Sequence, residues 1–342
     1  MKQIIISSLV VASFLGFPAG MAIAAPLTAA QTLNQFNLVV FGDATSKSDV
    51  DGRAYIGGDL SGGTYVTHSD KTPASSYAGL TTGGNASRVM VNGFGAVIGK
   101  DLSYSTINSG NAVVLGTARN NNFNGPAYVA KSGSGNNFNG GKNPALATGT
   151  AATAATSTDF KSVLTGLSIQ LKSLASTGSS VTFTNNKAVF NAVADKNGVA
   201  VFNLSGIDTV LFNKGEFEFN LNGANTVILD SDETKINIAA NFLGGAAQSI
   251  GAKTIWNFYN ATDVDIQNQF GGSVLAPLAH FSNENNIEGG VYVNTLTQNG
   301  EIHLQPFSGH IPPTPVPAPP AMLLLGSGMA CLANARWKRR NR

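Results

Sequence analysis

Apolar positions in the first half of the chain come in short bursts. Ala54-Tyr55-Ile56-Gly57, Ala96-Val97-Ile98-Gly99, Ala112-Val113-Val114-Leu115 and Ala127-Tyr128-Val129-Ala130 are extended segments of one kind, the last three starting 16 and 15 residues apart. The string NNFNG occurs at 121–125 and 136–140, and Gly110, Gly125 and Gly140 keep the step of 15. Short strands at this period, separated by Gly/Asn turns, predict a solenoid whose chain turns stack on one another. Ala beside Val or Ile suits a crowded interior, and Asn and Gly suit corners because they tolerate left-handed backbone. An antiparallel sandwich with regular hairpins is the competing arrangement, and the constant period favours the solenoid.

Between Asp159 and Ser176 the period changes. Phe160, Val163, Leu164, Leu167, Leu171 and Leu174 fall at steps of three and four, one face of a helix of about five turns. Ser157 or Thr158 is placed to cap its start and Gly178 to end it. The apolar stripe is expected against the solenoid's flank, and the Ala/Thr-rich stretch 146–157 as an exposed loop. Beyond the helix, Thr209-Val210-Leu211-Phe212 and Thr226-Val227-Ile228-Leu229 read as equivalent strands, followed by Ile255–Phe258, Val274–Ala276 and Val291–Val293.

The two ends have a different character. Lys2, the apolar run Ile4–Phe17 and the small-x-small site Ala22-Ile23-Ala24 follow the order of a secretory signal peptide, with cleavage expected after Ala24. At the other end, Pro312 to Pro320 holds six prolines in nine residues, a stiff extended spacer. Residues 321–335 would make about 22 Å of helix against a hydrocarbon core of roughly 30 Å, and a basic cluster follows. The chain thus divides into signal peptide 1–24, linker 25–33, β-helix body 34–309, Pro-rich spacer 310–320 and tail 321–342, the tail predicted to contain a short hydrophobic helix.

This division changes the meaning of the formal charge of +2. Six of the 21 Lys and Arg lie in the ends (Lys2, Arg336, Lys338, Arg339, Arg340, Arg342), leaving 15 cations against 19 acids, a net of −4. A mildly acidic body with three arginines offers no footprint for nucleic acid. The single cysteine, Cys331, is in the tail, so disulfide stapling and thiol chemistry are excluded from the body.

Two stretches carry a family resemblance: FNLVVFGDATSKSDVDGRAYIGGDLSG at 36–62 and GGSVLAPLAHFSNENNIEGGVYVNTLTQNGEIHLQPFSG at 271–309. Together they resemble the two ends of the choice-of-anchor A domain, an ice-binding-like adhesive domain, over roughly 34–309. The resemblance implies an all-β, right-handed parallel β-helix with one long α-helix alongside, and an adhesive role at the cell surface or in the extracellular matrix. It brings no catalytic residues. The tail, with Val316, Pro317, Ala318 and Pro319 before the apolar stretch and Arg336, Lys338, Arg339 and Arg340 after it, is similar to the PEP-CTERM sorting tag of Gram-negative bacteria. Ala318 stands where that tag usually has glutamate. This similarity implies an exosortase-like protease and transient residence in the inner membrane as partners, with permanent anchoring by the tail as the alternative. With the body exported, the basic cluster would lie inside, as the positive-inside rule requires.

Candidate chemistry in the body is sparse. Asp43, Asp49, Asp51 and Asp59 cluster near Arg53, and Asp49-Val50-Asp51-Gly52 offers carboxylates to calcium but lacks the further ligands of an EF-hand loop. Turning and capping the first coil is the expected use of these acids, and Asp230-Ser231-Asp232-Glu233 reads as a solvated corner. His68, His280, His303 and His310 have no metal-ligand spacing, and Glu284, Glu288 and Glu301 are expected on exposed corners, forming a carboxylate pair only if the fold joins them. No nucleophile motif occurs. Asn122, Phe123, Asn137 and Phe138 are the candidate ligand face, for an extracellular polysaccharide or surface ligand, if the phenylalanines point outward. The competing expectation turns them inward with internal asparagine ladders. Ice binding would need ranks of threonine; Thr209 with Thr226, Thr182-x-Thr184 and Thr295-x-Thr297 do not make a regular one. The function expected is therefore non-catalytic adhesion, with ice binding or polysaccharide degradation as alternatives.

Overall fold

The computed structural model describes residues 24–313. The signal peptide before Ala24, most of the spacer and the whole tail with its expected helix lie outside the described residues.

Ala96, Ala112 and Ala127 are consecutive partners in one parallel ladder, which continues from Ala96 through Leu80 and Ala54 to Leu38. Each rung has three faces. The first is built from 38–40, 54–56, 80–82, 96–98, 112–114 and 127–129, the second from 44–46, 60–61, 86–87, 102–103 and 118–119, and the third from 49–50, 64–65, 90–91, 106–107, 122–123 and 137–138. The corner between the second and third faces is left-handed in successive rungs, at Gly62, Arg88, Tyr104 and Asn120 (φ 80°, 56°, 52° and 57°). The fold is thus a parallel β-helix.

The order of its rungs is not the order of the chain. Leu38 pairs with Ala54 on one side and with Val291 on the other, and Val50 pairs with both Tyr65 and Ile302. The N-terminal coil therefore lies in the middle of the rod. From it the chain winds outward to 127–143, crosses back along the flank, restarts at the opposite end with 187–203, and winds inward to 291–303. An antiparallel strand, Ser180–Thr184, closes that opposite end by pairing with Lys187–Asn191.

The two halves are filled differently. The interior of the first half is mainly Ala, Leu, Val and Ile, with Tyr65 and Phe123 as large exceptions, whereas the wider coils of the second are filled by Phe190, Phe202, Phe217, Trp256, Phe258 and Phe270. Here 27 or 28 residues separate partners such as Val199 and Thr226, Val227 and Thr254, or Lys235 and Asp263, and side chains of larger volume keep the core at normal packing density.

The outward residues of the first face are also apolar and need a cover. Three helices and a 3-10 turn supply it. α1 (Ala29–Gln35), with a Thr28/Gln31 capping box, buries Leu33 within the stretch expected as linker. The 3-10 turn Pro144–Thr148 and α2 (Thr150–Ala154) lie over Ala78, Val97 and Val113, so the stretch expected as a loop is a lid of small residues. α3 (Phe160–Lys172) sets Phe160, Leu164, Leu167 and Leu171 on Val39, Ile228, Ile255, Leu275 and Tyr292. It is shorter than expected because Asp159, not Ser157 or Thr158, caps it, accepting from the Ser162 N–H, and Ser173 ends it. Two further short helices replace strands or corners: α4 (Asp208–Leu211) and α5 (Ala246–Ile250). α4 corrects the expectation of a strand at 209–212. The apolar residues there, Leu211 and Phe212, are buried by a single helical turn.

Candidate functional site

The second face carries the most regular surface. Its outward positions form two columns along the rod. One runs Asp265, Ser282, Thr297, Thr45, Ser61, Ser87, Ser103, Arg119, crossing the junction between the two ends of the chain without a break. Six consecutive members are Ser or Thr, exposed or half-buried, at the ~4.8 Å spacing of adjacent strands. The sequence shows no such rank, because its members come from both ends of the chain and most are serine.

Beside it runs a column of side-chain acceptors. Asp43 Oδ1 accepts the Asp59 N–H at 2.8 Å, Asp59 Oδ1 the Asn85 N–H at 2.7 Å, Asn85 Oδ1 the Asp101 N–H at 3.2 Å, and Asp101 Oδ1 the Thr117 N–H at 2.7 Å. The hydrogen bond from the Asn85 backbone, helped by its side chain, holds the Asp59 carboxyl below its ordinary value. Asp43 and Asp59 thus serve the expected corner role. A signal for both columns is present in the chain: Gly42-Asp43-Ala44-Thr45, Gly58-Asp59-Leu60-Ser61, Gly84-Asn85-Ala86-Ser87 and Lys100-Asp101-Leu102-Ser103 are one motif. It was missed because the insertion after Tyr65 stretches one interval to 26 residues while the others are 16.

On the third face the candidate ligand residues divide. Phe123 is fully buried and Phe138 half-buried, their rings stacked at 5.1 Å, so the phenylalanines turn inward and form no outward ligand face. The asparagines do not all follow them. Asn121 is internal, donating to the Leu102 carbonyl, but Asn122 and Asn137 are exposed and joined at 2.7 Å. A second exposed ladder links Asn139 to Asn124, Asn124 to Asn108 and Asn108 to Asn92, at 2.8, 3.2 and 2.8 Å. Alternation along a strand explains the division: Phe faces the core and its neighbours face solvent.

Most of the other acids and histidines singled out in the sequence are engaged within the fold. Asp51 accepts from the Thr67 hydroxyl and the Leu304 N–H, and its carboxylate lies 3.7 Å from His68. Among the described residues no group of three or more His, Cys, Asp or Glu is arranged to hold a metal ion, and Asp49 with Asp51 gains no further ligand. Arg53 is apart from the acids. Its buried guanidinium donates to the carbonyls of Gln35, Pro73, Tyr77 and Ala78, which holds the insertion against the rod, and burial lowers its pKa to about 10. The expected solvated corner at 230–233 is half interior: Asp230 and Ser231 are buried in a strand, bonded to Asn257 and Asp208. Burial pushes the Asp230 carboxyl up to about 6, against the Asn257 hydrogen bond. His280 bonds Thr295 within the second face, and the His310 N–H donates to Thr226.

The fold does join two of the three glutamates, through a histidine. His303 Nδ1 lies 2.8 Å from Glu288 and Nε2 2.8 Å from Glu301, while Glu284 is held separately by Asn299. The Glu288 hydrogen bond raises His303 to about 9, burial opposes this, and Glu301 adds to it. Burial works to raise the Glu288 carboxyl, but hydrogen bonds from His303, Gln269 and Gln305 outweigh it and hold the group below its ordinary value.

Comparison with known families bears on the body as a whole. No curated protein and no solved structure matches the chain. A family model described as an ice-binding-like adhesive domain matches residues 29–304, from α1 through the last rung of the third face. That match spans both half-rods, the junction and the flanking helices, so the chain belongs to the family of ice-binding-like adhesive domains.

Proposed function

We propose that this chain is an exported, non-catalytic adhesive protein whose second and third faces bind extracellular polysaccharide or another surface ligand. The hydroxyl column from Ser282 to Ser103 carries the reading. A periodic array of short, rotationally restricted donors and acceptors suits a repetitive ligand, because ordering it costs little side-chain entropy. Both carboxylates near His303 are engaged by that ring, which supports a structural use over acid–base chemistry. The tail 321–342 is proposed to hold the chain at the inner membrane until an exosortase-like protease removes it, leaving the body at the surface or in the matrix of a Gram-negative cell.

The ends of the described chain favour this orientation. Leu27 donates to Thr158 Oγ1 beside the start of α3, and Gln170 near its end donates to the Pro312 carbonyl. A tail leaving there would turn the second and third faces away from the point of attachment.

The test is to replace Ser61 and Ser87 together by glutamate and measure retention of the protein on extracellular matrix material. Retention should fall at least tenfold while the melting temperature stays within a few degrees; unchanged retention rejects the second face as the adhesive surface. The regular hydroxyl rank also supports ice binding as a second reading. A thermal-hysteresis gap with faceted crystals would establish that one instead.

A further inference from the structure

Charge is distributed unevenly along the rod. Between Asp101 and Asp159 there is no acidic residue, but Arg119, Lys131 and Lys142 lie there, leaving twelve cations against nineteen acids in the rest of the body. These three cations collect at one end. Lys131 follows Arg119 one rung on, pairing with Thr117, and Lys142 bridges to Ala127 in the last rung.

At this end Asn137–Phe138 is an edge strand and Ala127–Lys131 is met beyond it only by the single bridge at Lys142, whereas at the opposite end Ser180–Thr184 covers the third face. A cavity of about 300 Å³ lies in the mouth, lined among others by Tyr128, Lys131, Asn136, Phe138, Lys142 and Asn143. Phe138 is only half-buried, with Lys142 Nζ 4.7 Å from its ring centroid. Neither lysine has an acidic partner among the described residues.

We propose that this terminal cavity binds a carboxylated sugar of an extracellular polysaccharide, a refinement that rests on the adhesive reading above. Lys131 and Lys142 pair with the uronate-type carboxylate, Lys142 being held beside the site by the Phe138 ring, and Tyr128 offers an apolar surface to the C–H groups of the sugar. The volume is at the lower end of the ~300–1,000 Å³ of small-ligand sites, room for one or two sugar units. A cationic mouth on a net acidic body also directs an anionic chain toward this end. No arginine lines the cavity, so the anion is met by ammonium charge and not by a two-pronged guanidinium contact.

The test uses the intact chain and oligogalacturonate as probe, by calorimetry in low salt, beside the same oligomer with its carboxyls reduced. Binding should be at least tenfold tighter to the carboxylated form and should weaken as salt rises toward 0.5 M. A Lys131→Gln/Lys142→Gln variant should lose at least tenfold of that affinity while melting at the same temperature. Equal binding of the reduced oligomer, binding indifferent to the double substitution, or no binding at millimolar probe each overturns the proposal. Retention on matrix material by the double variant separates the two readings: unchanged retention together with a failed oligomer assay sinks the end site alone. Loss of retention in the wild-type chain sinks adhesion itself.

Discussion

His303 holds two carboxylates at the seam where the first and last coils of the chain meet. Its register neighbour on one side is Glu288, and Ile302 beside it pairs with Val50 across the seam. Its folded pKa, about 9, lies above the ordinary 6.5, so the stability this ring contributes is fully present below pH 6.5 and is lost as pH rises through about 9. The shift corresponds to roughly 3 kcal/mol at 1.36 kcal/mol per unit, and the side chain's 28% exposure cuts this to about 1–2 kcal/mol. Urea midpoints should therefore fall between pH 6.5 and 9 in the wild-type chain and stay nearly level in His303→Gln. An equal decline in both would refute the role. Asp230, whose pKa is about 6, titrates below this window and does not obscure it. Each of these residues could be named in the chain, but not its partner. His303 and Glu288 are 15 apart and His303 and Asp51 are 252 apart, and only stacking places all three on one stretch of the third face.

At the scale of elements, the apolar stripe of α3 is both the clearest signal in the sequence and the main cover of the rod. Leu164 and Leu171 are fully buried in an apolar cluster that includes Val39 from the first half and Ile228, Ile255, Leu275 and Tyr292 from the second. Burying each stabilises the fold by about 1.5–3 kcal/mol, and truncation also leaves a cavity. Leu164→Ala should cost about 2–5 kcal/mol, read as a lowered denaturant midpoint, whereas exposed Ile169→Ala on the same helix should cost under about 0.5 kcal/mol. The helix was legible because a period of 3.6 interrupts a pattern of short strands. The lid at 144–157 was not. Its Ala and Thr residues have no amphipathic period, and they are ordered because Val97 and Val113 beneath them need covering. α4 failed for the opposite reason: Thr209-Val210-Leu211-Phe212 has strong strand propensity, but one helical turn buries its two large residues where a third-dimension gap in the wide coil has to be filled.

At the scale of the molecule, the rod is one solenoid wound from two separate lengths of chain. Asn34 donates to the Phe307 carbonyl at 3.2 Å, so the start and end of the body touch. Joining residue 309 to residue 27 by a flexible linker, which keeps α1 and its cap, and opening the chain between Thr148 and Gly149 should therefore give a folded permutant in which the second half-rod feeds directly into the first. Cooperative melting with the wild-type circular dichroism spectrum is the expected result; a chain that does not fold would show that the order of synthesis, not the stacking, holds the rod together. The sequence by itself determined the rung period, the inward alanines and valines, the flanking helix and the family, because these rest on local spacing and on the volume each position must fill. Which rungs are neighbours was decided only in three dimensions. Parallel stacking is satisfied by any two coils of matching register, and the fold sets 291–303 against 38–50, with Val39 and Tyr292 in the apolar cluster that α3 completes. The hydroxyl column and the seam residues exist only because of that meeting, and the open cationic mouth only because no coil follows the one at 127–143.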